Sequence, residues 1–351
     1  MRELRPTPPQ PVFYGQIHFG VFREPFRTLN LVDADVYGHR WAPRWWRNLR
    51  LKEWQHFGIV HDDFYCGLTA FDAKFMGISF CYVYDRHSRQ IIEHNRTTFS
   101  RSAIHIPEQL WHDDGFFRQP GYQIQIHNRL AEGHHHLQID IQAHHHLPPI
   151  HAEFIVHENL ADCQPLIAVL PVNDHRRPMY THKIACPVEG QLEVGERSWV
   201  LSRNQHWALV DVQKTFYPHN SFWKWATFAG MDQDGVPVAI NLTHNMIRDD
   251  DRWNECCAWV DGRLSLFSAA RFEYDPAAIQ HPWRIYTTDG RVELTFTPEG
   301  ERADRINLAG VVTSDFHQPF GTYQGYFVDD GGQGHTIDRV FGIAEHHIFK
   351  A

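Results

Sequence analysis

The chain has 351 residues, of which 42% are hydrophobic and 14% aromatic, and its formal net charge is −9 with histidine neutral. This composition excludes intrinsic disorder and predicts a folded protein of one large or two medium domains. The acidic excess, without basic runs interleaved with aromatic residues, argues against nucleic acid as a partner.

Residues 1–60 are predicted to form an N-terminal arm and a helix that pack on the rest of the protein. The opening MRELRPTPPQPVFYGQ is rich in proline and lacks the apolar core of a secretory signal. We also find no apolar run near the roughly 20 residues that span a bilayer, so we expect no membrane span and a cytoplasmic location. The stretch from Ala42 to Gly58 places Leu51, Trp54 and Phe57 three apart, which predicts a helix.

Residues 61–190 read as a first β-barrel, because short alternating runs replace the helical pattern. The predicted strands are Phe64 to Lys74, Gly77 to Asp85, Gln90 to Phe99, Tyr122 to Leu130, His134 to His144 and His151 to His157. Turn residues such as Ala131, Glu132 and Gly133 separate them. The stretch from Asn159 to Pro187 is punctuated by proline, and we expect an irregular connection there.

Residues 191–351 read as a second β-barrel. Its predicted strands are Trp199 to Val212, Ser221 to Ala229, Val236 to His244, Cys256 to Val260, Arg263 to Tyr274, Gln318 to Phe327 and Gly334 to Ile348, with a hairpin in PWRIYTTDGRVELTFTP. In that hairpin Asp289 and Gly290 are expected to form a type I′ turn. The predicted fold is all-β, with two tandem antiparallel lipocalin-like barrels and one short N-terminal helix.

Cysteine and nucleotide motifs give no sign of a cofactor. The six cysteines are scattered without CxxC spacing, so buried free thiols are expected rather than zinc sites or disulfides. The GxGxxG, P-loop and GxSxG patterns are absent, so we expect no cofactor.

The 27 histidines raise the question of a metal site. In GHHHLQIDIQAHHH, strand alternation puts His134 and His136 on one face, and His127 lies on the preceding strand of the predicted hairpin. These three are the weak candidates for metal ligands. Their spacing matches no metal motif, so a polar outer face is the favoured interpretation and no metal is expected.

Several motifs in a fixed order resemble a known family. They are LRLKEWQHFGI, FDAKFMGISFCYVYDR, FWKWATFAG, VAINLTHN, NECCAWVDGRL, PWRIYTTDGRVELTFTPEGER, HQPFGTYQGY and FGIAEHHI. Together they resemble a bacterial family known as domain of unknown function 2804, over nearly the whole chain. More distantly, the chain is similar to the carotenoid hydratase (hydroxyneurosporene synthase) group and to lipocalin-like two-barrel proteins. The resemblance implies a fold but no assigned activity.

The stretch from Tyr217 to Leu264 holds most of the candidate site. Its strands alternate so that aromatic rings, an amide and a carboxylate converge if the strands are neighbours. The candidate ligand-binding residues are Trp223, Trp225, Asn241, Trp259 and Gln318, and the candidate catalytic residues are Glu255 and Glu345. A carboxyl group buried on an apolar strand has its pKa raised toward the range useful for donating a proton.

Three functions remain open from the sequence. The first is binding of a small apolar molecule such as a terpenoid, a polyene or a fatty-acid derivative. The second is a cofactor-independent hydratase, cyclase or isomerase in which Glu255 or Glu345 protonates an apolar substrate. The third is a structural or partner-binding protein with filled barrels, in which the tryptophans are core and each glutamate bonds an arginine such as Arg271 or Arg284.

Overall fold

A computed structural model describes residues 2–36, 42–173, 176–308 and 312–350. Within these ranges the protein is built almost entirely of strands, which form one nearly closed barrel sheet and one half-barrel sheet. The predicted all-β fold with two tandem barrels is therefore confirmed. The longest described helix has 7 residues, too short to cross a bilayer.

The helical segments are α1 (Arg44–Arg50) and two 3-10 turns, Leu31–Asp33 and Leu130–Glu132. The strands are β1 (Leu4–Arg5), β2 (Val12–Phe13), β3 (Gln16–Ile17), β4 (Gly20–Phe22), β5 (Lys52–Val60), β6 (Phe64–Asp72), β7 (Gly77–Asp85), β8 (Ile91–Thr98), β9 (Ile104–His105), β10 (Asp114–Gln119), β11 (Tyr122–Arg129), β12 (His134–Ile141), β13 (Ile150–Val156), β14 (Leu166–Pro171), β15 (Pro178–Val194), β16 (Arg197–Leu201), β17 (Trp207–Thr215), β18 (Asn220–Met231), β19 (Pro237–Asn245), β20 (Cys257–Val260), β21 (Arg263–Leu266), β22 (Ala270–Glu273), β23 (Trp283–Thr287), β24 (Val292–Leu308), β25 (Val312–Val328) and β26 (Gly334–Lys350).

The first sheet runs in the order β8-β7-β6-β5-β17-β15-β13-β12-β11-β10-β9. Strand β14 pairs with β15 and with β4, and β1 pairs in parallel with β4, so the N-terminal arm is hydrogen-bonded to this sheet. The second sheet runs in the order β21-β20-β19-β18-β26-β25-β24-β23-β22, and all its neighbours are antiparallel.

The two faces of the second sheet belong to different cores. Ala226, Phe228, Ile240 and Ala258 lie in the second barrel's own core. The side chains that alternate with them, including Trp225, Cys257, Trp259 and Phe320, join the core that contains the first barrel. We call this second set, with the first-sheet side chains packed on it, the inter-barrel face. Its rings touch directly, since the centroids of Tyr84 and Phe320 are 4.2 Å apart.

The helix predicted from Ala42 to Gly58 is wrong beyond its first half. Only Arg44–Arg50 is helical, and Lys52–Val60 forms β5, which pairs with β6 and β17. Strand β5 is buried on both faces along most of its length. A strand buried on both faces loses the alternation that identifies strands in a sequence, so the helical spacing of its apolar residues is misleading.

The irregular connection predicted from Asn159 to Pro187 is also wrong. It contains β14 and most of β15, whose first nine residues are all buried. The chain passes from the first sheet to the second between Thr215 and Asn220, because β16 and β17 still pair with β15. The change from the first sheet to the second therefore comes later in the chain than the domain boundary expected at residues 190–191. Strand β5, which was expected to be part of the N-terminal arm and helix, belongs to the first sheet.

The hairpin between β23 and β24 forms with a different turn. Only Gly290 has a positive φ, of 71°, and its N–H donates to the Thr287 carbonyl at 3.0 Å. The turn therefore ends in a left-handed glycine instead of having the two left-handed central residues of type I′. The hairpin itself is confirmed, and the alternate residues Val292, Leu294 and Phe296 of its second strand are all buried. All six cysteines are free thiols, and five of them are buried, as predicted.

Candidate functional site

The structure places the seven candidate residues on or beside the inter-barrel face. Trp223 and Trp225 lie on β18, Asn241 on β19, Trp259 on β20, Gln318 on β25 and Glu345 on β26, while Glu255 lies two residues before the start of β20. Trp223 is partly exposed and the other six are buried. The strand register explains why these residues lie close together. Trp225 and Glu345, for example, are directly paired across neighbouring strands and so share one face of the sheet.

Glu345 is a buried carboxyl group held by neutral donors. Its Oε2 accepts a hydrogen bond from Trp223 Nε1 at 2.8 Å, and its Oε1 accepts one from Gln318 Nε2 at 2.6 Å. The first sheet completes the arrangement, since the Tyr82 hydroxyl donates to Gln318 Oε1 at 2.5 Å. Burial raises the pKa of Glu345 to about 7, although both hydrogen bonds favour the charged form. At neutral pH this carboxyl can therefore donate or accept a proton.

Glu255 belongs to a second group of charges, and its partner is a lysine from the first sheet. The Lys183 ammonium lies 2.7 Å from Asp211 Oδ2 and 3.8 Å from Glu255 Oε1. Burial, with Asp211 nearby, raises the pKa of Glu255, while Lys183 opposes that shift. Burial lowers the pKa of Lys183, but the two carboxylates outweigh it and the net pKa is raised. One ammonium thus lies between two carboxyl groups where the barrels meet.

Asn241 and Trp259 are tied to the backbone. Asn241 accepts a hydrogen bond from Trp225 Nε1 at 2.7 Å and donates to the Glu255 carbonyl at 2.6 Å. Trp259 Nε1 donates to the Gln164 carbonyl at 2.9 Å. These contacts hold the segment that contains Glu255 against β19 and the first sheet. Asn241 and Trp259 therefore position neighbouring groups.

A cluster of rings lies at the edge of the inter-barrel face next to Glu345. We call Trp54, Tyr217, Trp223, His347 and Phe349 the aromatic cluster. Trp54 stacks on Tyr217 at 6.0 Å and lies 5.9 Å from Trp223, measured between ring centroids. Trp223 meets His347 edge-on at 4.2 Å. Because Trp223 also bonds Glu345, the cluster covers the carboxyl on the side that reaches solvent.

The predicted pairing of Glu255 and Glu345 with Arg271 or Arg284 is wrong. Arg271 pairs with Asp250, and Arg284 pairs with Glu273 and Glu293. These arginines therefore satisfy other acids of the second barrel. The charged residues beside the candidate site that sequence reasoning missed are Lys183 and Asp211. The signal available for Asp211 is a lone acid in the apolar run WALVDV, whereas Lys183 falls in the stretch misread as irregular.

The candidate metal histidines lie on the outer face of the first barrel. His127 and His136 are directly paired across β11 and β12, but each also faces a carboxylate. His127 Nδ1 lies 3.0 Å from Asp114, and His136 Nε2 lies 2.7 Å from Glu153. Over the residues that the structure describes, no group of three or more histidine, cysteine or acidic side chains is arranged to hold a metal ion.

Two cavities, of about 410 and about 450 Å³, lie away from the candidate residues. The first is lined by residues that include Arg27, Trp111 and His157, and the second by residues that include Arg2, Trp253 and Arg291. Glu345 is buried, so a ligand that reaches its carboxyl group has to move side chains that cover it. The partly exposed rings of the aromatic cluster lie at the edge of the inter-barrel face.

Comparison with known proteins identifies a family without a known activity. The model of a domain of unknown function, DUF2804, matches residues 11–350. No curated protein matches the chain. Among solved structures, the chain is similar to a protein from Nitrosomonas europaea provisionally called AttH, with 13% identity, 86% of this chain and 92% of that chain covered, and a TM-score of 0.46.

Proposed function

The chain belongs to the DUF2804 family, and on that premise we propose that it binds a small apolar molecule at the inter-barrel face. The observation that carries the proposal is the aromatic cluster next to Glu345, since it combines rings with a buried carboxyl group. Such a combination is typical of ligand sites, where rings supply contact area and a few polar groups orient the ligand. A terpenoid, a polyene or a fatty-acid derivative fits this chemistry, and we propose a cytoplasmic protein.

Entry to this site requires the aromatic cluster to move. Trp223 is partly exposed, and the only described hydrogen bond of its side chain is the one to Glu345. A rotation of its ring would break this hydrogen bond and uncover the carboxyl group of Glu345. The ligand's apolar surface would replace the ring contacts that are lost. The proposed site is therefore closed without ligand and opens at its aromatic edge.

A second candidate function is acid catalysis, and the raised pKa of Glu345, about 7, favours it. The protonated carboxyl would transfer its proton to one carbon of a C=C bond, leaving a carbocation stabilised by the face of Trp223. Water would then add to the cationic carbon and return one proton to the carboxylate, which gives net hydration. Loss of a different proton from the cation would instead give isomerisation.

The experiment that tests the binding proposal is native mass spectrometry of the untagged protein, followed by extraction and identification of any bound small molecule. A co-purifying apolar compound is the expected result. Its retention by Glu345→Gln, with loss of turnover, would identify a catalyst, whereas retention with no chemistry in either protein would identify a carrier. If the wild-type protein binds none of a panel of terpenoids, polyenes and fatty acids, the barrels are filled and structural.

A further inference from the structure

The cavity of about 450 Å³ lies between the N-terminal arm and the second barrel. Its volume is within the range of small-molecule sites, about 300–1,000 Å³. Four arginines and three acids line it, together with the apolar side chains Val21, Trp253, Leu266 and Phe267. The arginines are Arg2, Arg5, Arg252 and Arg291, and the acids are Glu3, Asp251 and Asp289.

Arg2 gives this cavity a positive charge that no described acid pairs with directly. Its guanidinium donates to the carbonyls of Asn254 at 2.5 Å, of Phe267 at 2.8 and 3.1 Å, and of Cys256. Carbonyl oxygens satisfy the N–H groups but contribute no net negative charge. These hydrogen bonds attach the N-terminal arm to the second barrel, and the positive charge of the Arg2 guanidinium remains available to attract an anion.

Arg291 and Arg252 provide the donors that remain free. Arg291 donates through Nε to the Val328 carbonyl at 3.0 Å, and its Nη1 contacts Asp330 at 2.8 Å. Its Nη2 is buried and has no hydrogen-bond partner among the described residues. A buried donor without a partner is rare and calls for one, such as a ligand or an ordered water. Arg252 is exposed and its guanidinium lies 4.8 Å from the centroid of the Trp253 ring, with no hydrogen bond of its side chain among the described residues.

Two of the three acids are already engaged by other groups. Asp289 accepts hydrogen bonds from the Thr287 hydroxyl at 2.6 Å and from the Ser268 N–H at 2.9 Å. Asp251 accepts one from the Thr288 hydroxyl at 2.5 Å. Glu3 is exposed at the surface of the arm. These bonds leave the carboxylate charges in place, so the lining carries four guanidinium groups against three carboxylates, beside an apolar wall.

We propose that this cavity binds an amphiphilic carboxylate. The carboxylate group accepts hydrogen bonds from Arg291 Nη2 and Arg252, and the apolar chain packs on Trp253 and Phe267. Arginine suits this role because its fork of N–H groups matches the two oxygens of a carboxylate. Only a ligand with both parts uses both the free donors and the apolar wall. The site is separate from the inter-barrel face and does not depend on the function proposed there.

The test is isothermal titration calorimetry of the full chain with decanoate, decanol and inorganic phosphate. We expect saturable binding of decanoate, with an affinity about tenfold lower in Arg252→Gln, which removes a charge-assisted contact without touching the core. Arg203→Gln is the matched control, since Arg203 is an exposed arginine at the other cavity. It should leave the decanoate affinity unchanged.

Other outcomes overturn the proposal. Absence of decanoate binding excludes the site, and equal losses in Arg252→Gln and Arg203→Gln would show nonspecific attraction to surface charge. Decanol binding as tightly as decanoate would show that the arginines are not used, and phosphate binding as tightly would show that the apolar wall is not used. Arg291→Gln gives an independent check, because it should weaken decanoate binding at least as much as Arg252→Gln does if the protein keeps its circular dichroism spectrum.

Discussion

The indole Nε1 of Trp223 donates a hydrogen bond of 2.8 Å to Oε2 of Glu345. One residue thereby belongs both to the aromatic cluster at the edge of the barrels and to the environment of the buried carboxyl. Movement of the Trp223 ring changes both the access to Glu345 and its protonation, because the hydrogen bond favours the charged form.

Trp223→Phe should raise the pKa of Glu345 above its value of about 7, because it removes a donor to the carboxylate and keeps an aromatic ring. The measurement is a pH titration of the glutamate carboxyl carbons by ¹³C nuclear magnetic resonance, with Glu345→Gln to assign the signal. Trp225→Phe is the matched control, since Trp225 donates to Asn241 instead. A Glu345 pKa that is equal in the wild type and Trp223→Phe would contradict the role of this hydrogen bond.

Glu345→Gln should make the protein's stability less sensitive to alkaline pH. The pKa of Glu345 is raised on folding from 4.5 to about 7, so its stabilising contribution is complete below about 4.5 and is lost as pH rises through 7. The loss in the wild type is about 3 kcal/mol at 1.36 kcal/mol for each pKa unit. Urea unfolding at pH 5 and pH 8 measures it. An identical pH dependence in the two proteins would rule out a raised pKa.

Lys183→Met should destabilise the protein by about 3–5 kcal/mol, because it leaves two buried carboxyl groups without their shared cation. Those groups are Asp211 and Glu255, at 2.7 and 3.8 Å from the ammonium. The matched control is Lys224→Met, since Lys224 is partly buried and has no ion pair within the described part of the chain. Chemical denaturation should separate the two variants clearly, and equal effects would mean that the Lys183 ion pairs contribute little.

Acid should unfold the first barrel through Glu158, a fully buried glutamate between two histidines. Its carboxyl oxygens lie 2.9 Å from His135 Nε2 and 2.7 Å from His182 Nε2. Burial raises the pKa of Glu158, but the two histidines outweigh it and lower the pKa from 4.5 to about 2. Its stabilising contribution is therefore present above about 4.5 and is lost as pH falls toward 2, by about 3 kcal/mol in total.

Glu158→Gln should remove this acid dependence between pH 4.5 and pH 2, together with a large part of the stability at neutral pH. Glu153→Gln is the control, because Glu153 also pairs with a histidine but is 56% exposed, and exposed pairs contribute about 0–1 kcal/mol. Thermal melts across this pH range measure both variants. If Glu158→Gln retains the wild-type pH profile, the acid sensitivity arises elsewhere.

Part of the candidate site was predictable because a strand alternates with a period of two. The alternation separates Cys257 and Trp259 from Cys256 and Ala258, and the structure assigns the two pairs to different cores. The same reasoning placed the buried face of the β24 hairpin correctly. His135, which alternates with His134 and His136, is buried on the other face of β12, and nothing in the local pattern indicates its buried partner Glu158.

The sequence by itself determined the all-β class, the strand faces of the second sheet and the family. Only the tertiary structure decided which charges meet between the barrels. Lys183 and Asp211 lie on strands of the first sheet, whereas Glu255 and Glu345 belong to the second barrel. Strands buried on both faces, such as β5 and the first half of β15, lose the alternation that reveals a strand. The packing of one sheet on another depends on contacts between residues far apart in the chain, and no local pattern records them.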